Sequence, residues 1–109
     1  MLVHFKTFQL AVSFHQQMKN LKTPIYLKDQ LLRASSSVAL NLAEGSAKQS
    51  RKDQARFYQI ALGSLKESEA ILILINFESS EISKQYFHLT VASINLLEIL
   101  ARIGGLHPP

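Results

Sequence analysis

Between Glu81 and Ile103, seven residues recur at a spacing of 4-3-4-3-4-3: Ile82, Tyr86, Leu89, Ser93, Leu96, Leu100 and Ile103. Residues three and four apart share one face of an α-helix, whereas a strand brings alternate residues to one face, so this spacing admits a helix and excludes a strand. A mostly apolar seam held over three repeats needs a second helix to cover it. Beside it runs another stripe, Phe87, Val91, Ile94, Leu97 and Ala101. One small core covers only one of the two, and the surplus predicts contact with a neighbouring subunit.

Three earlier stretches lack internal proline and repeat the helical spacing. The first, about residues 5–19, places Phe5, Phe8, Val12 and His15 on one side with Ala11, Phe14 and Met18 beside them. The second, 24–44, follows a Thr23-Pro24 start signal, with Thr23 as N-cap and proline at the first helical position. Its buried stripe is Leu27, Leu31, Ala34, Val38 and Leu42, and Gly45 is read as the left-handed residue that ends it. The third, 51–77, begins after Ser50 with Asp53 three residues on, a variant capping box. Phe57, Ala61, Leu65, Leu72 and Ile75 form its apolar side, widened by Tyr58, Leu62 and Ile73. Ser79 and Ser80 offer the cap for the fourth, 81–103. Gly104-Gly105 stops it ahead of a frayed tail, His107-Pro108-Pro109. With three short connections, the pattern predicts one all-α domain over 1–109, an antiparallel up-down-up-down four-helix bundle.

Composition narrows the function. The chain has 109 residues and neither cysteine nor tryptophan, which excludes a disulfide framework and thiolate metal sites. The N-terminal residues do not read as a signal peptide, and the longest apolar run, Ala70 to Ile75, is far short of a membrane span, so a soluble cytoplasmic protein without a membrane partner is expected. Net charge is +4, but residues 1–60 carry +6 and residues 61–109 carry −2. A basic first half attracts polyanions or simply solvates a surface.

The unusual polar feature is Gln30, Arg33, Ser37, Asn41 and Glu44, spaced 3-4-4-3 on one stripe of helix two beside Ala34 and Val38. An arginine bordering the core needs a carboxylate, so burial of Arg33, Asn41 and Glu44 is expected, with Glu67 or Glu69 of helix three pairing Arg33. With Ser64, these residues read first as a structural polar network, and second as a ligand or catalytic site. No catalytic residue, metal ligand or cofactor is assigned. His4, His15, His88 and His107 lack ligand spacing, and no nucleophile motif or glycine-rich phosphate loop occurs. His15 is read as a packed helix residue. The basic feature is Lys48, Arg51, Lys52 and Arg56, around the second connection. In an up-down bundle Lys6 and Arg102 join the same end, while Lys19, Lys22 and Lys28 mix with Glu78 and Glu81 at the other. This end is the candidate nucleic-acid-binding surface, with Tyr58 as an aromatic near enough to stack on a base. Gly63, inside helix three, suggests close approach of another backbone.

Two segments carry a resemblance. Gln30-Leu31-Leu32-Arg33-Ala34-Ser35-Ser36-Ser37-Val38-Ala39-Leu40-Asn41-Leu42-Ala43-Glu44-Gly45 resembles the signature of the four-helix bundle proteins encoded in 23S rRNA intervening sequences. Phe57, Ala61, Gly63, Ser64 and Glu67 resemble that family's second motif. The likeness covers about residues 5–103. The family is also similar to the accessory variability protein of diversity-generating retroelements. The resemblance implies a four-helix protomer in a homopentameric ring and no established enzymatic activity. For the retroelement relatives it implies binding to reverse transcriptase and RNA through a basic surface. The expectation is a non-enzymatic, oligomeric module that binds structured RNA or DNA, or else a scaffold for a protein partner.

Overall fold

The computed structural model describes residues 1–104, which fold into four long helices after a single 3-10 turn at Leu2–His4. These are α1 (Lys6–Asn20), α2 (Ile25–Ser46), α3 (Arg51–Leu74) and α4 (Ser80–Gly104). Among the described residues there is no strand. The α2–α3 pair has the most extensive contact; α1 packs on α2 and α4, and α4 packs on α3. The expected tail at His107-Pro108-Pro109, and Gly105 before it, lie outside the described residues.

One apolar core joins all four helices. Ala11, Phe14, Met18, Leu31, Val38, Leu42, Ala61, Leu65, Ile71 and Leu89 are almost wholly removed from water. In α1 the innermost row is Thr7, Ala11, Phe14 and Met18, whereas Phe5, Phe8, Val12 and His15 are half-buried. The α4 seam enters the core through Ile82, Leu89, Ser93 and Leu100, with Tyr86 and Leu96 half-buried and Ile103 exposed. Ser93 satisfies its hydroxyl on the Leu89 carbonyl at 2.8 Å. The neighbouring stripe stays outside: Phe87 is 62% exposed, Val91 40% and Ile94 42%, while Leu97 and Ala101 are half-buried. Residues Ser80–Ile103 are long and apolar enough to cross a membrane, by length and composition, with a mean hydropathy of 1.2 over the best window. Counting unbroken apolar runs misses this, because polar residues such as Lys84, Gln85, Asn95 and Glu98 interrupt the chain.

Helix ends follow local chemistry, not always the expected one. Ser50 caps α3, its hydroxyl accepting the Asp53 N–H at 3.1 Å, and Ser79 accepts from the Ile82 N–H at 3.3 Å. Pro24 is itself the N-cap of α2, not its first helical residue, and Thr23 does not cap it. Gly45 does not end α2; it lies buried within the helix, which continues to Ser46. A Cβ there would sit 2.6 Å from Tyr58 Cε1 and 3.1 Å from Phe57 Cβ, so glycine is required by packing and not by a left-handed turn. That turn occurs instead at Asn76, with φ of 53°. The Asn76 N–H donates to the Ile73 carbonyl and the Phe77 N–H to the Leu72 carbonyl, both at 3.0 Å, forming a Schellman motif that ends α3 three residues earlier than expected.

Candidate nucleic-acid interface

The ring contact between Phe5 and Tyr58, with centroids 6.4 Å apart, and the seat of Tyr58 on Gly45 bring the start of α1, the end of α2 and the start of α3 together. Lys52, Ala55 and Gln59 of α3 share a groove with Leu97, Glu98 and Ala101 of α4. The six candidate cations are therefore contributed by neighbouring segments, but they are not equivalent. Lys48 pairs with Glu44 at 3.4 Å, Arg56 loosely with Asp53 at 4.0 Å, and Arg102 with Glu98 at 4.0 Å. Lys48 Nζ and the Arg56 guanidinium also lie over the half-buried Phe57 ring, at 5.0 and 4.6 Å from its centroid. Such exposed pairs contribute about 0–1 kcal/mol and hold the side chains only weakly. Arg51, Lys52 and Lys6 are exposed, with no carboxylate within ion-pair distance among the described residues. The arrangement leaves an excess of positive charge at the start of α3. Tyr58 is only 5% exposed, so it cannot serve as an open stacking platform, and burial pushes its hydroxyl pKa upward.

The polar stripe of α2 divides into an inner and an outer row. Ser37 and Ser64 hydroxyls meet at 2.8 Å across α2 and α3, and the Asn41 amide donates to the Ser37 carbonyl and hydroxyl at 2.8 and 2.9 Å. Ser68, fully buried, donates to the Ser64 carbonyl at 3.0 Å. The outer row differs from expectation. Arg33 and Glu44 are exposed and Asn41 is half-buried. Arg33 has no carboxylate within ion-pair distance among the described residues; Gln30, Arg33 and Glu67 instead line an open concavity of about 820 Å³ together with Tyr26, Ser37 and Ser64. Glu69 is held by Lys66 at 3.1 Å. The serines satisfy one another across the seam, so the core does not require the arginine. Gly63 meets nothing within 4 Å, so the close approach read from it does not occur inside the protomer.

Two features lacked a sequence signal. Lys28 reaches back to the end of α1 and donates to the carbonyls of Met18, Lys19 and Leu21 at 3.2, 3.0 and 2.6 Å. A cation near the carbonyls of a helix C-terminus is favourable, but a long side chain from another helix leaves no local pattern. His15 Nδ1 lies 2.7 Å from the fully buried Ser35 hydroxyl. Burial first, and Lys19 second, lower its pKa from the ordinary 6.5. Among the described residues no three His, Asp or Glu side chains gather in a way that could hold a metal ion.

Four helices around one core, a serine-asparagine seam between α2 and α3, and an apolar stripe exposed on α4 define a small all-α protein. The chain belongs to the 23S rRNA-intervening sequence protein family, whose pattern matches residues 1–101. No curated protein matches it.

Proposed function

We infer that this chain is a non-enzymatic, oligomeric binding module for structured RNA, in which antiparallel up-down-up-down protomers close into a ring, a homopentamer by family resemblance. The observation that carries the RNA reading is the pair Arg51 and Lys52, exposed at the start of α3 and without a carboxylate partner among the described residues, with Lys6 contributed from α1. The family description, which refers to 23S rRNA intervening sequences, favours RNA over other polyanions. Phosphate contacts require only such charges, and a ring repeats them around one rim, raising avidity without a new kind of contact. The exposed Phe87, Val91 and Ile94 favour self-association, because an apolar stripe on a small protein gains by being covered. A ring of odd order needs two different contact surfaces; the α4 stripe is one and the α2–α3 face around Gly63 is the other.

The test is fluorescence anisotropy with structured RNA at two salt concentrations. Wild type should bind, and binding should weaken steeply as salt rises. Arg51→Glu with Lys52→Glu should abolish binding while helicity and light-scattering mass remain unchanged. Lys19→Glu with Lys22→Glu should have a smaller effect. Equal loss from both pairs, or no wild-type binding at low salt, refutes the basic rim. The same α4 stripe favours a second reading, a scaffold for a protein partner, which predicts a partner captured after nuclease treatment.

A further inference from the structure

An open concavity of about 490 Å³ lies between the 3-10 turn, the end of α2 and the first turns of α3. Its lining is Met1, Leu2, Phe5, Ser46, Gln54 and Tyr58. The volume falls within the roughly 300–1,000 Å³ of small-ligand sites. Phe5 is half-buried and lines the concavity, and it leans on Tyr58 at an interplanar angle of 53°. The Gln54 side chain is half-buried and makes no hydrogen bond to another described residue, although its carboxamide offers both donors and acceptors. Ser46 donates its proton to the Ala43 carbonyl at 2.7 Å, so its oxygen remains an acceptor. Arg51, Gln54 and Tyr58 are spaced three and four apart and share one stripe of α3, which puts an unpaired cation one turn from the carboxamide.

An aromatic wall, an amide with no protein partner among the described residues and cations at the margin are what an unstacked base and its phosphates require. We propose that this concavity receives one unpaired nucleobase of a bound RNA, stacked on Phe5 and hydrogen-bonded by Gln54, with Arg51 on the adjoining phosphate. The proposal rests on the RNA reading above and narrows it, because fully paired RNA has no base to offer.

The experiment compares two hairpins that differ only in a single bulged nucleotide, titrated by fluorescence anisotropy against wild type, Gln54→Ala and Phe5→Leu. Wild type should prefer the bulged hairpin by about tenfold, within the range one base–aromatic contact supplies. Both variants should lose that preference while binding the fully paired hairpin as wild type does. Equal wild-type affinity for the two hairpins overturns the proposal and leaves RNA binding intact, and so does a preference that survives both substitutions. If wild type binds neither hairpin, the RNA reading fails, and the concavity is decided by NMR with millimolar adenosine monophosphate. Shifts at the Phe5 ring and Gln54 side-chain amide support a base site; their absence overturns it.

Discussion

Gly45 offers a sharp test of the packing, because the same exchange at Gly63 has the opposite expected sign. Both glycines lie within helices, where alanine is favoured by about 0.8–1 kcal/mol. A methyl group at Gly45 would sit 2.6 and 2.9 Å from Tyr58 Cε1 and Cδ1 and 3.1 Å from Phe57 Cβ. Tyr58 is almost wholly buried and leans on Phe5, so moving its ring aside disturbs that contact as well. Overpacking of a filled core costs about 1–3 kcal/mol, and a clash with a buried ring and with Phe57 Cβ, which is fixed to its backbone, belongs in the upper half of that range. After the gain in helix propensity, Gly45→Ala should destabilise by about 1–2 kcal/mol, which for a domain of this size lowers Tm by roughly 5–15 °C. Gly63→Ala meets nothing within the protomer and should stabilise it by about 0.5–1 kcal/mol. Urea unfolding followed by circular dichroism, on protein dilute enough that self-association adds nothing to stability, measures both. A Gly45→Ala midpoint at or above wild type refutes the steric account of this residue.

Other outcomes follow from single contacts. Lys28→Met removes three bonds to the carbonyls ending α1 and should destabilise by about 1 kcal/mol in urea, with faster amide exchange in the last turn of that helix. His15 has its pKa lowered on folding, so the unfolded chain binds the proton more readily and stability declines as pH falls below the ordinary 6.5. The urea midpoint of wild type should drop between about pH 7.5 and about pH 5.5 more than that of His15→Gln. Arg33→Ala should change protomer stability by less than about 0.5 kcal/mol, since the side chain is exposed and unpaired; unfolding of dilute protein checks this.

The helices were legible because their signals are periodic or local. The α4 heptad and the serine caps at Ser50 and Ser79 need only residues within one or two turns. The α3 terminus was not legible, since asparagine takes the left-handed position where glycine is the usual sign, and apolar residues continue past it to Phe77. Gly45 carried the sign of a terminus and serves as a packing residue, because a sequence does not show which ring lies across from a glycine. Arg33 was misplaced for a related reason. Its neighbours Ala34 and Val38 are buried, but one residue of helix rotates a side chain by about 100°, enough to turn Arg33 outward. Among the site residues, spacing carries the cations and also their pairing, through carboxylates one helical turn away. Lys48, Arg56 and Arg102 each have a carboxylate three or four residues away, whereas Arg51 and Lys52 do not have one within ion-pair distance.

The division of the polar stripe bears on what the family signature does. Its inner members, Ser37, Asn41 and Ser64, hydrogen-bond to one another across α2 and α3. Its outer members, Gln30, Arg33 and Glu67, surround open space and make no contact that holds the protomer together. Gly63 adds a bare backbone to the same face, at a cost in helix propensity that no packing inside the chain offsets. Residues that contribute nothing to the fold they sit on are best explained by what covers them. In a ring, that cover is another copy of the chain, where an exposed arginine and glutamate can pair after desolvation and a bare glycine can admit a close helix. The basic start of α3 is made by other residues, Arg51 and Lys52, so the proposed assembly and the proposed RNA binding would make separate demands on the surface. Charge reversal at Arg51 and Lys52 can therefore remove one activity and leave the other.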